Sequence, residues 1–170
     1  MRKNIVLAID GPCASGKTTV AQKLKNQSGY EIIHMDDFFL RPEQRTQERL
    51  NTPGGNIDYE RFIEEVIKPI EKGETFSYRP YDCHTKSMKE PVTIDATKNI
   101  IIEGVYSCHP KLWGYYDIHA FVDVEKDVQQ ERIIKRNGES GWERFASEWI
   151  PLEEVYFSTY QIKERCEMIL

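Results

Sequence analysis

The sequence predicts an α/β protein, a parallel five-stranded sheet with helices on both faces. Three observations carry that prediction. β-Branched runs alternate with stretches of helix formers along the whole chain, which implies crossover connections and a covered parallel sheet. Asn99–Glu103 (NIIIE) and Ile118–Val124 are apolar runs of the kind found in strands buried on both faces. A glycine-rich turn, Gly11–Thr18, joins the first strand directly to the first helix.

The elements follow in order. Asn4–Asp10 (NIVLAID) is a β-branched run stopped by Gly-Pro, hence a buried strand. Lys17–Gln27 carries helix formers and closes at Ser28-Gly29, and Tyr30–Asp36 is the second strand. Residues 41–58 are rich in Arg, Gln, Asn, Pro and Gly, with a loop at Thr52-Pro53-Gly54-Gly55-Asn56. Asp58 stands at an N-cap position before a helix over Tyr59–Ile70, where Phe62, Ile63, Val66, Ile67 and Ile70 have helical spacing. Phe76–Tyr81 and Pro91–Ile94 read as short strands flanking the turn-rich Asp82–Glu90, a small hairpin. Lys126–Arg136 reads as a helix that stops at Asn137-Gly138. Arg144–Arg165 is mostly helical with Pro151 inside it, and Glu167–Leu170 supplies the last short strand.

With 170 residues, 30% charged and 39% hydrophobic, the chain suits one domain, 1–170, large enough to bury a core. Within it, an acceptor-binding insertion is expected at about 41–95 and a lid at about 137–146. The net charge of -5 argues against a nucleic-acid binder that works by phosphate neutralisation, yet leaves room for a small anion in a local basic pocket. Cys13, Cys83, Cys108 and Cys166 form neither a CxxC pair nor a metal-ligand spacing, so free thiols in a reducing compartment are expected. The N-terminus runs straight into a strand too short for a signal sequence or membrane span, and the expected location is cytoplasmic.

Residues 11–18, GPCASGKT, satisfy the Walker A pattern GxxxxGK[ST] at every fixed position, with a strand before and a helix after. Gly11 and Gly16 let the backbone turn its N–H groups toward phosphate oxygens, and the helix adds its positive dipole end. The phosphate-binding set is Gly11, Cys13, Ala14, Ser15, Gly16, Lys17, Thr18 and Thr19. Lys17 would neutralise the β- and γ-phosphates of ATP, and Thr18 would ligate the Mg²⁺ that bridges them. This places the chain in the P-loop NTPase fold. Neither NKxD nor DxxG occurs, which favours a metabolic kinase over a switch-type NTPase that signals by binding.

Three further features suit a kinase. Glu103 ends a buried strand and can hold Mg²⁺ through a water. Arg132 and Arg136 share a helix face at i, i+4, with Arg144 across a Gly-Glu-Ser-Gly segment. They fit either a lid that closes over phosphates or a solvated face beside Glu131 and Glu139. HMDDFF, residues 34–39, ends the second strand on two acids at the carboxyl edge of the sheet, where ligands bind. Successive residues leaving a strand point to opposite sides, so one acid faces an acceptor; periodicity leaves Asp36 and Asp37 equal.

GPCASGKT, HMDDFF, NIDYERF, SYRPYDCH, IIEG and the Arg132/Arg136 helix occur in the order and spacing of the uridine kinase family. More broadly the chain resembles the phosphoribulokinase/uridine kinase group, which includes the nicotinamide riboside kinases. The resemblance implies a parallel P-loop sheet and transfer of the γ-phosphoryl of ATP to the 5′-hydroxyl of a ribonucleoside, uridine or cytidine first. Another riboside or a sugar is the alternative acceptor, and an NTP-binding regulatory protein without an acceptor is the alternative outside that class. The resemblance implies that Asp36 takes the acceptor-hydroxyl proton, with Lys17 and Arg132 completing the catalytic set. It further implies that Asp58 holds the ribose 2′- and 3′-hydroxyls, that Tyr81 and His84 contact the base, and that Phe39 lines the acceptor pocket while Phe38 packs inside. Arg132 and Arg136 would belong to the lid, and Asp37 would be a supporting acid to a lid cation or the backbone.

The chain departs from uridine kinases in two places. Their histidine lies further along than His84, where Thr85-Lys86 competes for the position, and DDFF is closer to the riboside kinases. The implied partner is a small-molecule nucleoside, with no nucleic acid and no membrane; a homo-oligomer is left open. His34 and His119 read as core or edge histidines on strands, and His109 beside Pro110 as a turn residue. Trp113, Trp142 and Trp149 read as packing groups, with Trp142 able to serve the lid segment instead.

Overall fold

The computed structural model describes residues 4–170. In chain order its strands are β1 (Val6–Asp10), β2 (Glu31–His34), β3 (Phe76–Tyr78), β4 (Tyr81–Asp82), β5 (Ser87–Met88), β6 (Val92–Ile94), β7 (Ile100–Glu103), β8 (Ile118–Phe121) and β9 (Met168–Ile169). Five of them form one sheet in the order β2-β7-β1-β8-β9, and every pair in it is parallel. β1 is central, with Ile9 opposite Glu103 on one side and Asp10 opposite Phe121 on the other. The carboxyl ends of β1, β2 and β7 therefore meet at one edge, the position where open parallel sheets carry their sites.

The two faces of the sheet are buried by different helices. Along β7, Ile100 and Ile102 enter one core and Ile101 the other, as the two-residue period of a strand requires. Ile101 meets Ala21, Val20 and Leu24 of α1 (Lys17–Ser28). The opposite core collects Phe62, Val66, Ile67 and Ile70 from a helical stretch over 59–72, joined by Tyr156 and Ile162 from the C-terminal helices. α1 ends as its sequence suggests, at Gly29, whose φ of 69° turns its N–H onto Lys25 O at 2.8 Å.

Three local expectations change. The second strand ends at His34, and Met35–Phe38 form a 3-10 turn. Met35 and Phe38 are both fully buried at i, i+3; this tight turn puts them on one side and frees Asp36 and Asp37 from the strand. The helix breaks at the expected Asn137-Gly138 pair and a second helical run resumes directly after it. α5 runs from Lys126 to Arg144 with one non-helical residue, Gly138 at φ 77° and ψ 176°, a kink that glycine accommodates without a steric penalty. A π turn, Phe145–Trp149, leads on into α6 (Ile150–Tyr160) with helical dihedrals throughout, and Pro151 follows directly on that π turn. The segment 137–146 thus holds the Gly138 break and the helical turns that follow it. Residues 41–58 hold a 3-10 turn, Pro42–Gln44, and a short helix, Gln47–Asn51, besides the Thr52–Asn56 loop. The hairpin is two nested ribbons, β3 with β6 and β4 with β5.

Cys13, Cys83, Cys108 and Cys166 are all free thiols, and among the described residues no helix is long and apolar enough to cross a membrane.

Phe38 anchors the acid-bearing turn, edge-on to Phe62 at 4.9 Å, with the Arg61 guanidinium 4.4 Å from its ring centroid. Phe39 is half-buried against the same core. Phe38→Ala is expected to lower the unfolding free energy by about 3–5 kcal/mol, and Phe39→Ala by clearly less, in urea melts of the two variants. Equal losses would contradict this division of roles.

Candidate active site

The loop between β1 and α1 begins with a constraint on Gly11. Its φ is 141°, and a Cβ there would stand 2.2 Å from Val122 O. Gly16, at φ 106°, precedes α1 with no side-chain cap and no acid in the helix's first turn, so the positive dipole end faces the loop unneutralised. Lys17 lies buried across the loop and donates to Gly11 O at 2.8 Å and Pro12 O at 2.7 Å.

Under the loop, Asp10 is fully buried and accepts from the N–H groups of Gly11, Tyr106 and Cys108 and from Tyr156 Oη. Burial outweighs those bonds and lifts its carboxyl to about 6. Outside the loop, Gln129 Nε2 donates to Cys13 O at 2.9 Å, and Arg132 Nη1 donates to Ala14 O at 3.0 Å and Ser15 O at 3.1 Å. Glu153 Oε2 accepts from the Cys13 N–H at 2.9 Å. Arg132 therefore stands here as a buttress of the loop backbone, whereas Arg136 bonds Asn137 and lies 5.7 Å from the Phe145 ring.

At the loop's other end, Thr18 Oγ1 donates to Glu103 Oε1 at 3.2 Å. His34 Nδ1 lies 2.5 Å from the same oxygen, a bond that holds its imidazolium above the ordinary histidine value. Asp36 reaches solvent on one side, but protein crowds the others. That desolvation, then the charge of Glu103, raises its carboxyl above the ordinary carboxylate value. Its Oδ1 stands only 3.6 Å from where a Gly104 Cβ would be, against the end of β7. Asp37 accepts from Tyr78 Oη at 2.8 Å, in place of the lid cation or backbone expected for it.

The hydroxyl of Thr18 and the carboxylate of Glu103 are hard oxygen donors brought face to face. They suit Mg²⁺, which takes one or two protein oxygens and completes its shell with phosphate and water. Among the described residues no cluster of three or more His, Cys, Asp or Glu forms a complete protein cage.

On the acceptor side, Asp58 caps its helix through Oδ1, which accepts the Arg61 N–H at 3.1 Å, while Oδ2 accepts from Gln44 Nε2 at 2.8 Å. Asp58, Gln44, Leu40, Arg49, Tyr59 and Glu60 line a cavity of about 470 Å³. Tyr81 is buried, with Glu43, Arg41, Arg45 and Cys83 close enough to act on its hydroxyl. His84 and Lys86 stand exposed on the turn of the β4–β5 ribbon, His84 with its N–H on Asp82 Oδ1.

Two histidines, on the edge strand and in the turn expected for them, gain partners that the sequence does not show. His34 belongs to the site as the partner of Glu103. His109 is buried in the core, stacked 4.9 Å from Tyr59, and burial pushes it down to about 4. His119 is the expected core histidine, 3.8 Å from the Trp113 ring.

Gly11→Ala is expected to lower stability by about 1–3 kcal/mol, because either the loop or the Val122 carbonyl must move. A thermal melt of the variant checks this, and an unchanged melting temperature would show that the loop is not held as described.

The sequence model of the Phosphoribulokinase / Uridine kinase family matches residues 6–142. A protein named uridine kinase from Macrococcus caseolyticus is 32% identical over 147 residues, covering 81% of this chain and 70% of that protein. Among solved structures, that of a possible uridine kinase from Bacillus stearothermophilus superposes with a TM-score of 0.70 at 21% identity, over 100% of this chain and 90% of that one. D-glycerate 3-kinase from Cryptococcus neoformans gives 0.62 at 16% identity, over 89% and 78%. Both likenesses are of fold, that of the P-loop kinases. With a family match across most of its length and the phosphate loop, acid-bearing turn and strand-end glutamate meeting at one sheet edge, the chain belongs to the phosphoribulokinase/uridine kinase family.

Proposed function

We propose that this protein is a cytoplasmic, Mg²⁺-dependent kinase that transfers the γ-phosphoryl of ATP to the 5′-hydroxyl of a ribonucleoside, with uridine or cytidine as the leading acceptors. The observation that carries it is the convergence of Thr18, Glu103 and Asp36 at one end of the phosphate loop. The loop amides and Lys17 hold the phosphates; Thr18 and Glu103 would hold Mg²⁺, which would supply charge stabilisation to the transferring group. Asp36 takes the acceptor proton; its raised carboxyl brings it nearer the working pH, which a general base needs. Asp58 offers two carboxylate oxygens to a vicinal diol on the side of the cavity, with Gln44 as the group that yields its bond. Positioning and charge stabilisation do most of the work, and the base adds to them.

A second acceptor class, another riboside or a sugar, is favoured by one feature. His84 is exposed on a turn, which weakens the base contact that uracil recognition needs.

ADP release from MgATP with a panel of uridine, cytidine, nicotinamide riboside and simple sugars separates these readings. Uridine- or cytidine-dependent release is the expected result, and release that ignores every acceptor would overturn the kinase reading. In the same assay Lys17→Ala is expected to abolish turnover. Asp36→Asn is expected to lower kcat by about 10²–10⁴-fold with ATP binding retained. A wild-type rate for Asp36→Asn alongside an inactive Asp37→Asn would reassign the base.

A further inference from the structure

Glu153 takes no part in the transfer described above, yet it touches the phosphate loop. It lies on α6, separated from Cys13 by 140 positions in sequence, and only 6% of it is exposed. Its Oε2 accepts the N–H of Cys13 at 2.9 Å, while Gln129 Nε2 holds the carbonyl of the same residue. Three residues further along α6, Tyr156 donates to Asp10. A carboxylate is therefore docked on an amide of the loop, where the Gly11 N–H already serves Asp10 and the Ser15 N–H serves Pro12 O.

Its surroundings are short of positive charge. The loop presents the Cys13 thiol and Lys17, the end of β1 presents Asp10, and the segment after β7 presents the Tyr106 hydroxyl. Lys17 is the one cation in that set, and it is the residue that polyphosphate would claim. Burial pushes the Glu153 carboxyl up to about 7, against the pull of the Cys13 amide and Lys17. A polyphosphate entering the loop adds negative charge beside this group and raises it further.

We propose that Glu153 is a positioning residue of the phosphate loop that takes up a proton from solvent when a nucleoside polyphosphate binds. This rests on the nucleotide-binding reading of the loop. Once protonated, its carbonyl oxygen still accepts the Cys13 N–H, so the loop keeps its shape while the charge facing the phosphates is removed. No bond other than the carboxyl O–H forms or breaks.

The test is calorimetric titration with MgADP from pH 6 to 8, in two buffers of different ionisation enthalpy, on wild type and Glu153→Gln. The glutamine keeps an acceptor for Cys13 and drops the charge. If the protonated form is the one that binds, ionisation weakens wild-type affinity about twofold at pH 7 and about tenfold at pH 8. Glu153→Gln should then match wild type at pH 6 and bind about tenfold tighter at pH 8, without the proton uptake that wild type shows. Gln129→Ala, which frees the Cys13 carbonyl and leaves the charge, should weaken binding while keeping the wild-type pH dependence. In wild type itself, the ¹³Cδ titration of Glu153 should move to higher pH on adding MgADP. Identical pH dependence in wild type and Glu153→Gln, or an unmoved Glu153 titration, would overturn the proposal alone. No MgADP binding to any of these proteins at any pH would overturn the nucleotide reading and the proposal with it.

Discussion

One buried carboxylate organises this structure. Asp10 has no exposed surface, and its two oxygens accept four hydrogen bonds: Gly11 N at 2.7 Å, Cys108 N at 2.9 Å, Tyr106 N at 3.1 Å and Tyr156 Oη at 2.8 Å. Four donors fill the acceptor capacity of a carboxylate. They also join three parts of the chain that are far apart in sequence: the phosphate loop, the turn after β7 and helix α6. Removing the acceptor would leave buried donors unpaired, each at about 1–3 kcal/mol. Tyr106 shows how firmly the turn is held. It is not glycine, yet it sits at φ 74°, a conformation sustained by its bond to Asp10 and by its buried ring against Tyr156.

From that centre the site is built outward by long-range bonds rather than by the loop's own sequence. α5 reaches the outward-facing carbonyls of Cys13, Ala14 and Ser15 through Gln129 and Arg132, and α6 reaches the Cys13 N–H through Glu153. With its carbonyls held from behind, the loop keeps its other face for the phosphates proposed above. β2 and β7 bring the chemistry to that face: their register sets His34 opposite Glu103, and the turn that follows sets Asp36 against Gly104. The result is a loop with two acids, Glu103 and Asp36, beside it at adjacent strand ends, the pair to which we assign the metal and the acceptor.

The sheet was legible because its signals are local. Apolar runs at β1, β7 and β8, a glycine stop after α1 and an N-cap acid at Asp58 each say what their own segment does. The phosphate loop was legible for the same reason, since its pattern is contiguous. Local signals misled where a competing contact won. The apolar run of the second strand was read on through Asp36, but Met35 and Phe38 enter the core together and wind the chain into a turn. The stop signal at Asn137-Gly138, by contrast, held: Gly138 leaves helical dihedrals, and a second helical run starts directly after it. Glu153, Gln129 and the role of Asp10 had no local signal. Their partners lie 140, 116 and up to 146 positions away, and nothing in a helix following Pro151 marks a glutamate that will be buried under a loop.

If Asp10 organises the phosphate loop before any nucleotide arrives, the amides of Gly11, Tyr106 and Cys108 open only when the whole domain unfolds. Native-state hydrogen exchange of the nucleotide-free protein measures this directly. Protection of these three amides equal to that of the core amides of β1 and β7 is the predicted result. Exchange at the rate of the exposed β4–β5 turn would contradict it.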